Sequence, residues 1–124
     1  MARIIVVDDD PRLREATRDV LESEGHEVIE AKDGNAAVLA HRAQPADLIV
    51  CDMFMPRQDG IETIIALRRE SPNVRIIAVS GGGYSGAIDV LTMARHMGAS
   101  EVLSKPFSGV QLMAAIARLL GPPP

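Results

Sequence analysis

Short runs of branched apolar residues alternate along the chain with longer stretches in which apolar positions recur every three or four residues. The short runs are Arg3–Asp8 (RIIVVD), Glu27–Ala31 (EVIEA), Asp47–Asp52 (DLIVCD), Arg75–Ser80 (RIIAVS) and Glu101–Ser104 (EVLS). Three of them are Ile, Val, Leu or Ala almost throughout their interiors, the pattern of strands covered on both faces. The second is short and alternates, which suits an edge. Between the runs the spacing predicts helices. Asp10 is placed to cap the first, with Pro11 at its opening position and Leu13, Ala16, Val20 and Leu21 along one face, until Gly25 stops it. Asp33 caps a second helix carrying Ala37, Val38 and Ala40. The third covers Ile61–Glu70 and ends at Ser71-Pro72, the fourth covers Ser85–Met97 and ends at Gly98, and the fifth covers Gly109–Leu120 and ends at Gly121.

Strand and helix thus alternate five times. That order predicts an α/β fold: a doubly wound (βα)5 three-layer sandwich with a mostly parallel five-stranded sheet and right-handed crossovers. Residues 1–120 read as one domain, and 121–124 as a Pro-rich tail or the start of a linker. A chain of 124 residues suffices for one such unit.

Composition narrows the function classes. Apolar content of 47% and charged content of 24% are ordinary for a globular domain. No apolar run approaches the roughly 20 residues that span a bilayer, and the N-terminus lacks a signal-peptide pattern. A formal net charge of −4 and 2% aromatic residues argue against a direct nucleic-acid-binding surface. The single cysteine, Cys51, fits a reducing cytoplasm.

In doubly wound folds, ligands bind at the carboxyl ends of the strands. Asp8 and Asp9 close the first strand, Asp52 the third and Ser80 the fourth, and Lys105 follows the fifth. Three carboxylates gathered at one sheet edge repel unless a cation offsets them, and such oxygens suit Mg²⁺. Asp52 could then be a nucleophile whose acyl-phosphate product is neutralised by the metal, by Lys105 and by the Ser80 hydroxyl. Each residue alone has a plainer reading as a cap, turn or solvent-facing group, and Asp10 reads as a helix cap.

These residues carry a resemblance. Val6-Val7-Asp8-Asp9-Asp10, Asp52-Met53-Phe54-Met55-Pro56 with Asp59-Gly60, Ser80 after an apolar strand, Gly98-Ala99, and Lys105-Pro106-Phe107 together resemble the receiver domain of bacterial two-component response regulators, over essentially the whole chain. The resemblance implies the strand order 2-1-3-4-5 of the flavodoxin-like fold. It implies that Asp52 accepts a phosphoryl group from a sensor histidine kinase or phosphotransfer protein. Asp9 and Asp52 would be carboxylate ligands of Mg²⁺, Phe54 would give its backbone carbonyl, and Asp8 would act mainly through a bound water. Lys105 would pair with the phosphoryl oxygens and Ser80 would move to hydrogen-bond one of them. The Lys105-Pro106 bond matches a common cis position. The output would be a downstream protein or output domain, with a phosphorylation-dependent homodimer as one form. Such a protein catalyses only its own phosphorylation and dephosphorylation.

Several positions depart from that pattern. Val102 stands where the family usually has an aromatic switch, which leaves the signal to backbone shifts after Ser80 or to Tyr84. Gly81-Gly82-Gly83 frees the loop after Ser80, and Phe54 puts an apolar side chain where many relatives have a polar one, predicting slow loss of phosphate. His26, His41 and His96 read as exposed or helix-end residues, Cys51 as core, and the methionines, Met113 among them, as core positions on helices. Three competing functions are weighed. A dinucleotide-binding enzyme would need a Gly-x-Gly-x-x-Gly turn where Asp8-Asp9-Asp10-Pro11 stands. A small aspartyl-phosphate phosphohydrolase would carry its nucleophile after the first strand. A pseudo-receiver binding module would have lost part of the set Asp9, Asp52, Ser80 and Lys105.

Overall fold

The computed structural model describes residues 2–53, 60–81, 92, 95, 96, 98–105 and 107–121. Five strands, β1 (Arg3–Val7), β2 (Glu27–Ala31), β3 (Leu48–Asp52), β4 (Arg75–Gly81) and β5 (Glu101–Lys105), form one sheet. Every pairing is parallel and the order is β2-β1-β3-β4-β5. The described helices are α1 (Pro11–Ser23), α2 (Gly34–Ala43), α3 (Gly60–Glu70) and α4 (Gly109–Leu120). Of the helix expected over Ser85–Met97, Thr92, Arg95 and His96 are described and are helical; Tyr84 and the rest lie outside the described residues.

Strand periodicity sorts the core into two layers. Ile5, Val7, Ile49, Cys51, Ile76 and Ala78 face one side, against Ala37 and Val38 of α2 and Ile64 and Leu67 of α3. Ile4, Val6, Leu48, Val50, Ile77 and Val79 face the other, against Leu21 of α1 and Leu112, Ala115 and Ile116 of α4. The alternating strand Glu27–Ala31 is indeed an edge. Cys51 is buried, as its run implied. Met113 is half-buried against the α1/α4 layer. Met53 is buried, as expected of the methionines, but it stands in the bend after β3 rather than on a helix.

Local chemistry starts the helices where expected. The Asp10 carboxylate accepts from the Arg12 N–H at 2.9 Å, Pro11 opens α1, and Gly25 follows with φ +90°. Asp33 accepts from the Ala36 N–H at 2.8 Å. At α4, Ser108 and Gln111 exchange side-chain and backbone hydrogen bonds in a capping box, at 3.1 and 2.8 Å.

His41 stands in the last turn of α2, the helix end expected of it, but it is buried rather than exposed, because the inner face of α2 turns it under the loop to β3. Its Nδ1 accepts the Ala46 N–H at 3.0 Å, and burial holds its pKa below the ordinary value. His26 is shifted the same way, first by burial and then by the N-terminal amine. A base whose folded pKa is depressed contributes full stability above its unfolded pKa, near 6.5. That contribution shrinks as pH falls below this value, until the folded-state pKa is passed. Glu30 and Glu70, held low chiefly by hydrogen bonds from Arg18 and Arg42, change stability only in more acidic solution. The urea midpoint should therefore fall between pH 7.5 and 5.5, with a shallower fall in His41→Gln. An unchanged slope in the variant would assign the effect to other groups.

Candidate functional site

Parallel pairing brings the first and third strands out side by side. Val7 is in register with Cys51, so the next residues, Asp8 and Asp52, emerge as neighbours at the carboxyl edge. Both are buried, while Asp9 is exposed. One carboxylate oxygen from each of Asp8, Asp9 and Asp52 lies within 4.8 Å of the other two. The Lys105 ammonium, at the end of β5, sits 3.5 Å from Asp8 Oδ2 and 3.8 Å from Asp52 Oδ2. One ammonium against three carboxyl groups leaves excess negative charge, and the donors are all oxygen. The set fits a hard divalent cation such as Mg²⁺.

The surroundings fix these groups. Asp8 Oδ1 accepts the Asp10 N–H at 2.9 Å, and the Asp8 N–H donates to the Ala31 carbonyl at 3.1 Å. The Met53 N–H donates to the Val79 carbonyl at 2.8 Å, which holds the chain as it leaves Asp52. Asp52 is in register with Val79, so Ser80 lies one residue beyond it on the neighbouring strand, fully buried beside Ser104. Gly81 ends β4 in register with Lys105. Phe54, Gly82, Gly83 and Pro106 lie outside the described residues, and with them the backbone-carbonyl ligand, the glycine loop and the Lys105-Pro106 bond. Val102 is half-buried against the α2/α3 layer.

Two arginines escaped the sequence reading, one at the acidic site and one at the opposite, amino edge of the sheet. Arg14 Nη1 donates to the Asp8 carbonyl at 2.7 Å and its Nε to Glu30 at 2.9 Å, tying α1 to the end of β1. Its place one helical turn after the Asp10 cap was the available signal. Arg68, in the last turn of α3, donates to the carbonyls of Pro72, Val74 and Gly98. Gly98 has φ +126°, and a side chain there would begin 3.1 Å from Arg68 Nε. Only glycine satisfies both demands at once.

With this geometry in place, the comparisons with known proteins are specific. The family model for the response regulator receiver domain matches residues 4–117. The chain belongs to that family. This receiver domain is 33% identical to the chemotaxis protein CheY of Bacillus subtilis, with 95% of the chain and 97% of CheY aligned. It is 34% identical to the transcriptional regulatory protein CpxR of Escherichia coli over 97% of its own length, and it spans about half (50%) of CpxR. Among solved structures, the receiver domain of NtrX from Brucella abortus superposes with a TM-score of 0.89 at 28% identity, covering 94% of this chain and 97% of that one. The receiver fold expected from the motifs is therefore the fold observed. No helix among the described residues is long and apolar enough to cross a membrane.

Proposed function

We propose that Asp52 is the phosphoryl acceptor of this receiver domain, taking the group from the phosphohistidine of a sensor kinase or phosphotransfer protein in the cytoplasm. The observation that carries the reading is the convergence of Asp8, Asp9 and Asp52 within 4.8 Å, with Lys105 bridging two of them. Asp9 and Asp52 would hold Mg²⁺ directly and Asp8 through water, with the backbone carbonyl of Phe54 as the remaining protein ligand. When bound, the ion supplies positive charge against the carboxylates and the phosphoryl oxygens.

The chain's own groups do the rest. The Asp52 carboxylate attacks phosphorus in line with the departing imidazole nitrogen. The Lys105 ammonium turns from two carboxylates to the phosphoryl oxygens, and Ser80 donates its hydroxyl hydrogen to one of them. Moving Ser80 out of full burial shifts the end of β4, and that shift is the signal read by a downstream protein or output domain. Residues 1–120 act as the switching unit, with 121–124 leading out of it. The domain touches no nucleic acid itself and catalyses only its own phosphorylation and dephosphorylation.

Incubation with acetyl phosphate and Mg²⁺, followed by intact-mass measurement, tests this. One added phosphoryl group is expected, and none in the presence of a chelator. Continuous release of phosphate from an unrelated ester would instead identify a phosphohydrolase.

A further inference from the structure

A cleft of about 480 Å³ adjoins the acidic site, between α1 and α4, and the proposed function does not use it. One end is lined by Asp8, Asp52 and Lys105. Its floor includes Val50 and Val79, and its walls include Leu13 and Val20 from α1 and Phe107 and Leu112 from α4 and the segment before it. The volume is that of a small-molecule site, apolar along its length with few polar groups at one end. It is open enough that Leu13 remains 44% exposed despite facing it. The cleft is also narrow beside α4: a side chain at Gly109 would begin 3.6 Å from Val20 Cγ1.

We infer that this cleft receives the apolar acyl group of a small-molecule phosphodonor, so that the domain is charged preferentially by acyl phosphates with an extended hydrocarbon chain. The inference rests on Asp52 being the phosphoryl acceptor. Lys105 meets the phosphoryl oxygens at the polar end, and the hydrocarbon chain lies on Val50, Val79 and Leu112. One Asp52 carboxylate oxygen forms the new bond to phosphorus while the bond from phosphorus to the acyl oxygen breaks. The electron pair of that bond leaves with the acyl carboxylate, and no proton or further reactant is needed. Each methylene wholly removed from water favours binding by about fourfold. The four extra methylenes of hexanoyl over acetyl phosphate, half covered in an open cleft, should therefore lower the half-saturating concentration by roughly tenfold or more.

The test measures phosphoryl labelling of the full chain by intact mass, with Mg²⁺, across concentrations of acetyl and hexanoyl phosphate. Wild type should saturate at a concentration about tenfold lower with the hexanoyl donor. Ala16→Phe and Gly109→Leu, which fill the cleft from its two sides, should abolish that preference and leave acetyl phosphate labelling unchanged. Hexylphosphonate, which cannot transfer its phosphorus, should bind wild type more tightly than methylphosphonate in calorimetry, and the filled variants equally. Equal saturation by both donors in wild type would overturn the inference and leave Asp52 as acceptor. Variants that lose labelling only from a phosphohistidine protein would give the cleft to a protein partner and also overturn it. No labelling from either donor would remove the acceptor role and this inference together.

Discussion

Asp52→Asn should emerge from incubation with acetyl phosphate and Mg²⁺ at its starting mass. The amide replaces the carboxylate almost atom for atom, so β3 and its pairing with Val79 remain, but the neutral oxygen is too weak a nucleophile to form an acyl phosphate. The substitution also removes one charge from a trio packed within 4.8 Å. In chelator the variant should therefore unfold at the same urea concentration as wild type, or a higher one, while its response to added Mg²⁺ is weakened. This pairing of lost labelling with preserved or improved stability separates a functional carboxylate from a structural one. Label transferred to the exposed Asp9, or a variant that simply unfolds, would defeat the assignment.

Arg68→Met should be the most damaging change away from the acidic site, lowering unfolding free energy by about 2–3 kcal/mol. The methionine can occupy much of the volume, yet it strands the part-buried carbonyls of Val74 and Gly98 and leaves the exposed carbonyl of Pro72 to water, all three of which the guanidinium now satisfies together. Burial pulls the Arg68 pKa down from its ordinary value, and the three carbonyl acceptors compensate the charge. Arg68→Lys should recover only part of the loss, because one ammonium cannot reproduce the planar fork. Urea unfolding of the variants decides it; a change in Arg68→Met below about 0.5 kcal/mol would place the arginine among ordinary surface residues.

The contrast between these two residues shows what could be read in advance. Asp52 was legible because a parallel sheet converts strand order into spatial neighbourhood: residues closing β1, β3 and β5 must meet at one edge. The strand limits and the Asp10 and Asp33 caps were legible because periodicity and capping are local. Arg68 was not, since its partners are backbone carbonyls, two just beyond its helix and one thirty residues on, and backbone acceptors leave no mark in the sequence. The burial of His41 was not legible because it depends on the loop that folds over this helix end, with the Ala46 N–H as its partner. The cleft beside Asp52 was equally hidden, because it is a space left between helices that the pattern only says are present.

Cys51 shares β3 with Asp52, and burial first of all, then the two neighbouring carboxylates, push its thiol pKa far up. Being the chain's only sulfhydryl, and shut away one residue from Asp52, it makes the protein its own opening gauge. A maleimide can reach that sulfur only when the α2/α3 layer lifts from the sheet or the sheet itself parts, so its rate of capture counts those openings, and anything that tightens β3 against that layer should slow the clock.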